Sequence, residues 1–243
     1  MRLRLRFAKT GKIRWTSHRD LARIWERVIR RAGLPIAYSQ GFSPHPKLHF
    51  GLALSTGHES VAEFLDLDLR ADAELPTPED LAALPARLTP LLPIGIEVTA
   101  VAEIPSSSTS LQEAVTSCEW SIELRGVTPE VAAPAVERLL GADELIITRQ
   151  RKGKDVTDDA RPYLLHLAVV GPTDAGTELA AELATRPRGL RSSELLELLD
   201  LGATEGRVRR LTQWMLLDGT RTEPLAVPAG ATSAPPHTEL CAT

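Results

Sequence analysis

Apolar residues in this chain follow two different periods, and the points where one gives way to the other set the fold class. Between residues 2 and 7 charge and hydrocarbon alternate, with Arg2, Arg4 and Arg6 on one face and Leu3, Leu5 and Phe7 on the other. That is the pattern of a half-buried strand, and it predicts a cationic open face. From residue 21 the period becomes helical: Leu21, Ile24, Trp25, Val28 and Ile29 form one apolar stripe. Ser17, with Asp20 three residues on, is a variant capping box at the start of this helix, and Gly33 and Pro35 end it. Period two returns at residues 61–69, where Phe64, Asp66 and Asp68 are separated by Leu65, Leu67 and Leu69. Shorter strands are expected at 36–39, 48–54 and 94–104. Thr77-Pro78-Glu79-Asp80 opens a second helix that Pro85 and Pro90 cut short.

The Pro/Ser-rich segment 105–115 reads as a linker. After it the order partly repeats. A strand is expected at 117–124, and Thr128-Pro129-Glu130 opens a helix that ends at Gly141. Strands follow at 144–151 and 163–170, with a turn at 151–155. Residues 179–184 fit a strand and a helix equally, while 192–200 and 204–217 are expected to be helical. Residues 224–243, with four prolines, are expected to be a disordered tail. The predicted class is α+β: tandem ferredoxin-like (split βαβ) units with antiparallel sheets, spanning 1–104 and 116–223. One continuous α+β domain with a longer sheet is the alternative.

The formal net charge of -4 hides a division. Residues 1–50 hold twelve Lys/Arg and two acidic residues, a net of +10, which leaves -14 on the other 193. A basic N-terminal fifth points to a polyanionic partner. At 100° per residue, Arg19, Arg23 and Arg30 fall within about 40° of one another, opposite the apolar stripe, with Arg27 beside them. Guanidinium groups so spaced can grip successive phosphates. Trp15 is either a stacking platform for a base or a core residue. In Gly41-Phe42-Ser43-Pro44-His45-Pro46-Lys47, prolines stiffen the backbone on both sides of His45. His45 is the candidate acid–base group and Lys47 a candidate anion contact. A third cationic cluster, Arg151, Lys152 and Lys154 around Gly153 with Arg161 nearby, is a further phosphate-contact candidate.

Other classes are excluded. No apolar run approaches the roughly 18 residues of a membrane span, and the alternating start predicts a cytoplasmic chain without a secretory leader. Two cysteines, Cys118 and Cys241, rule out a disulfide framework and an iron–sulfur cluster within the chain. His45, His49 and His58 match no zinc spacing, so no metal is expected, and no phosphate loop, dinucleotide fingerprint or nucleophile elbow indicates a cofactor.

Six stretches carry a family resemblance: Arg14-Trp15-Thr16-Ser17-His18-Arg19-Asp20-Leu21, Arg30-Arg31-Ala32-Gly33-Leu34-Pro35, Gly41 to Lys47, Gly57-His58-Glu59-Ser60 with Ala62-Glu63-Phe64, Gly153-Lys154-Asp155 with Arg161-Pro162, and Arg209-Arg210-Leu211-Thr212-Gln213-Trp214. Together they resemble the radical-SAM-linked protein family, a bacterial domain of unknown function, over roughly residues 1–225. The resemblance implies a domain found alone or fused behind a radical S-adenosylmethionine module, with stand-alone members near genes for an RNA-processing nuclease and ribosomal proteins. This chain lacks that module's cysteine triad. The leading expectation is an RNA-binding accessory module, contacting tRNA or rRNA through Arg19, Arg23, Arg27, Arg30, His45 and Lys47, with a radical SAM enzyme as partner. The alternatives are a metal-independent RNA-processing enzyme using His45, with His18 or His49, as general acid or base, and a protein–protein adaptor.

Overall fold

A computed structural model describes residues 1–74, 76–151 and 153–225, with Arg151 described by its backbone alone. The opening alternation is strand β1 (Arg2–Lys9), and Leu3, Leu5 and Phe7 are buried as their period requires. Helix α1 (His18–Arg31) begins where Ser17 accepts a hydrogen bond from the Asp20 N–H, and it buries Leu21, Trp25, Val28 and Ile29. Strand β2 (Leu48–Phe50) is shorter than its apolar run predicts, and β3 (Glu59–Asp68) follows. Helix α2 (Pro78–Leu88) opens with a full capping box between Thr77 and Asp80. It runs through Pro85 rather than stopping there. Strand β4 (Ile96–Ile104) completes the first half.

Residues 105–115 contain a short helix, α3 (Leu111–Ala114), whose Leu111 packs on Ala62 and Phe64. Strand β5 (Val115–Arg125) and helix α4 (Pro129–Gly141) match the predicted repeat closely. Strands β6 (Ile146–Arg151) and β7 (Lys154–Asp159) form a separate hairpin. Strand β8 (Leu164–Thr173) covers most of the strand expected at 163–170, and β9 (Gly176–Ala184) resolves the ambiguous segment 179–184 as strand. Helix α5 (Ser192–Leu199) is followed by β10 (Thr204–Leu217) and β11 (Thr220–Thr222). The expected helix at 204–217 is therefore a 14-residue strand. Its pairing with β5 shifts register three times, between Glu205 and Val208, Arg210 and Thr212, and Trp214 and Met215. Each irregularity resets the two-residue alternation and leaves apolar residues at spacings that imitate a helix.

The molecule is mixed α+β with one large, mostly antiparallel sheet in the order β4-β1-β3-β10-β5-β9-β8. Strand β2 pairs with β3, so the first half reads β4-β1-β3-β2, and the second reads β10-β5-β9-β8. The halves meet where β3 and β10 run parallel, Glu59 opposite Arg209 and Ser60 opposite Arg210. One core cluster gathers β1, β3 and β4 with α1 and α2, and another gathers β5, β8 and β9 with α4 and α5. Among the described residues no helix is long and apolar enough to cross a membrane. The expected tail lies outside the described residues from 226 onward, as does Cys241.

Candidate nucleic-acid interface

With Leu21, Trp25, Val28 and Ile29 turned into the core, the other face of α1 is left to solvent, and Arg19, Arg23, Arg27, Arg30 and Arg31 are all exposed. Arg23 reaches Asp20 at 3.3 Å, an exposed pair that water largely screens. Arg19, Arg27, Arg30 and Arg31 make no ion pair among the described residues. The helix end also suits cations, because its last carbonyls carry partial negative charge. There Arg87 of α2 donates to the Ala32 carbonyl at 2.6 Å and adds a further exposed guanidinium.

Five residues after α1, Ile36 bridges to Leu69 at the end of β3, so the loop that follows starts at the same end of the sheet as Arg30 and Arg31. Backbone pairing pins the loop. Tyr38 bridges to Pro46, the Ser39 N–H donates to the His45 carbonyl at 2.8 Å, and the His45 N–H donates to Ser39 Oγ at 3.0 Å. Lys47 N–H donates to the Ala37 carbonyl at 2.9 Å. Above these bonds Gly41 to His45 project outward. The side chains of His45 and Lys47 are exposed, and Phe42 is wholly so, at 111% of its reference surface. A rigid loop that presents a bare phenyl ring gains nothing internally from that ring. The motif makes this loop visible in the sequence through the prolines flanking His45, whereas nothing in it marks Phe42 as exposed.

The strand arginines behave differently from the expected open cationic face. Arg2 donates to Asp68 at 2.7 Å, Arg4 to both oxygens of Asp66 at 2.8 Å, and Arg6 to Glu223 at 2.8 Å. Pairing with β3 sets Asp68 and Asp66 directly across from Arg2 and Arg4. Asp66 and Asp68, which alternate with leucines along β3, are thus counter-ions to the strand arginines. Lys9 is also internal, its ammonium donating to the carbonyls of Arg14 and Thr16 at 3.2 and 2.9 Å.

The cationic hairpin splits as well. Lys154 is exposed at the turn. The side chain of Arg151 and all of Lys152 lie outside the described residues. Arg161 is taken up inside the chain: its guanidinium donates to the carbonyls of Ala142, Leu164 and Leu140 at 3.1, 3.0 and 3.2 Å. Arg149 pairs with Asp158 at 3.1 Å.

The candidate histidines are held by separate partners. His49 Nε2 lies 3.0 Å from Asp68, near one end of β3, and His58 Nε2 lies 2.9 Å from Glu205, beyond the other. His18 packs edge-on against Phe50. Trp15 is 63% exposed, with the Arg14 guanidinium 5.3 Å from its ring centroid, and so stands outside the core. It lies over Gly57, whose φ of +93° and closeness to the ring, 2.9 Å from an added Cβ, favour glycine there.

The sequence stretches Gly57 to Ser60 and Arg209-Arg210 carried no assigned role, and the fold joins them. Glu59 Oε2 accepts from Arg209 Nε and Nη2 at 3.1 and 2.7 Å, and Oε1 accepts from the Gly11 N–H at 2.9 Å. Burial resists ionisation of this carboxyl, but these donors outweigh it and hold Glu59 below the usual carboxylate range.

The family model described as "Uncharacterized protein conserved in bacteria (DUF2344)" matches residues 2–193. No curated protein matches the sequence. Among solved structures, the chain is similar to one in the "Crystal Structure of a Cbf5-Nop10-Gar1 Complex", with a TM-score of 0.45 and 12% identity. That alignment covers 87% of this chain and 48% of the other, so this chain spans about half its length. A likeness this loose transfers neither fold nor function.

Proposed function

We propose, for a chain that belongs to this conserved bacterial family, that it is an RNA-binding accessory module serving RNA modification or processing. The solvent face of α1 carries the reading. Arg19, Arg27, Arg30 and Arg31 stay exposed and without ion pairs among the described residues, while the strand arginines are neutralised internally. Guanidinium groups along a helix suit successive phosphates, and the pinned loop offers Phe42 for stacking on an unpaired base beside His45 and Lys47. His45 enters this reading as a contact rather than a catalytic group. Its exposed side chain stands beside Lys47 on the pinned loop, where it can meet a base edge or a phosphate.

The two strand orders, β4-β1-β3-β2 and β10-β5-β9-β8, support reading the molecule as two ferredoxin-like units in tandem, the second with the β6–β7 hairpin inserted. A radical SAM enzyme is the partner class implied by the sequence resemblance, and the cytoplasm is the compartment this role requires. Co-purification from nuclease-treated extract tests that partner.

The binding test is titration of tRNA and rRNA fragments over a salt series. Binding is expected at low salt, weakening steeply as salt rises, and lost when Arg19, Arg27 and Arg30 are together replaced by Glu. No detectable binding at low salt, or binding indifferent to the triple replacement, removes the proposal.

A further inference from the structure

A cleft of about 770 Å³ opens beside the β3–β10 junction, within the size range of small-molecule sites. Leu54, Leu183 and Leu190 give it an apolar wall. Polar groups reach it from several elements, among them His58 from the turn before β3, Trp120 from β5, Arg149 from β6, Ser192 from the first turn of α5, and Glu205 and Arg210 from β10.

One carboxylate organises them. Glu205 holds His58 Nε2 at 2.9 Å through one oxygen and accepts from Ser192 Oγ at 2.7 Å through the other. With Nε2 so engaged, the second ring nitrogen, Nδ1, is buried and makes no hydrogen bond among the described residues. Arg210 also lines the cleft. It is 1% exposed, stacks 5.1 Å from the Trp120 centroid, and has an Nε with no hydrogen bond among the described residues. Buried polar atoms in this state call for a partner, which a water or a ligand in the cleft supplies. At the mouth, Arg191 is exposed and makes no ion pair among the described residues, while the N-terminus of α5 beside it is already capped by the Glu194 carboxylate, which accepts from the Arg191 N–H at 3.0 Å. Burial pushes the Cys118 thiol in the cleft wall up to about 11, so it stays neutral and leaves ligand binding non-covalent.

We propose that this cleft binds a nucleoside phosphate, its base against Trp120 and the leucine wall, and its phosphate on the Arg191 guanidinium. An aromatic ring, an apolar wall and an unpaired guanidinium at the mouth match the base, sugar and phosphate of such a ligand. His58 Nδ1 is placed for a polar group of the base or sugar. A free nucleotide and the phosphorylated end of an RNA strand both present this chemistry. The site is separate from the α1 face and stands or falls without it.

The test is calorimetric titration of the full chain with the four nucleoside 5′-monophosphates, inorganic phosphate, and a short oligoribonucleotide with and without a 5′-phosphate. One nucleotide per chain is expected, weakened roughly tenfold or more by Arg191→Ala through loss of a charge-assisted hydrogen bond. Arg191 is exposed, so this variant keeps the fold, and the α1 triple variant should bind mononucleotide normally. If only the 5′-phosphorylated oligonucleotide binds, and Arg191→Ala weakens it, the ligand is an RNA end. The proposal is overturned if no nucleotide or phosphorylated end binds, if Arg191→Ala leaves binding unchanged, or if inorganic phosphate binds as tightly as the nucleotides.

Discussion

Arg4 and Arg27 look alike in the sequence, each a cation opposite an apolar face, yet the fold gives them opposite tasks. The Arg4 side chain is 5% exposed and that of its partner Asp66 1%, so each charge depends on the other. Asp66→Ala leaves a buried guanidinium uncompensated, and a loss of about 3–5 kcal/mol in denaturant unfolding is expected. Arg27→Ala removes an exposed group and should fall within about 0.5 kcal/mol of the wild type. Equal midpoints for the two variants would contradict the assignment. What separates them is a partner 62 residues away along the chain, supplied by strand pairing that periodicity cannot register. Phe42 gives the complementary case. Phe42→Ala should leave the unfolding midpoint unchanged, because the ring touches so little, and should weaken RNA binding by about 1–3 kcal/mol if a base stacks there.

At the scale of elements, α1 and α4 were legible because each has a local start signal and a stripe at helical spacing. Strand β10 was not, because its three register shifts break the alternation, and the pairs that make it a strand lie mostly in β5. The contact between β10 and β3 was equally hidden: two parallel residue pairs about 150 positions apart, fixed by Glu59 on Arg209. This carboxyl is held below its ordinary value of 4.5, so its stabilisation is present above that value and is lost as pH falls through the lower folded one. Glu59→Gln should therefore melt earlier than the wild type at neutral pH, by about 2 kcal/mol of stability. The two melting curves should converge as the solution is acidified below the ordinary glutamate range. A gap that stays constant down to strong acid would show that the carboxylate charge is not what secures the junction.

For the whole molecule, the decisive quantity is where positive charge remains after folding. Of the twelve cations in the first fifty residues, Arg2, Arg4, Arg6, Lys9 and Arg14 are engaged with groups of the chain itself. Lys12, Arg19, Arg23, Arg27, Arg30, Arg31 and Lys47 are exposed, five of them on α1. The acidic remainder thus covers the strand arginines and leaves the helix bare, a division the charge count alone does not reveal. Under the proposed function, RNA binding by this net-acidic protein should show a salt dependence set by that local surface. Each phosphate contact on a single strand contributes about -0.7 to the slope of log K against log salt. Replacing Arg27 and Arg30 by Gln should make that slope shallower by about 1.4 units. The same double change in Arg2 and Arg4 would act through stability instead. A slope unchanged in the α1 variant would place the phosphates on another surface of the molecule.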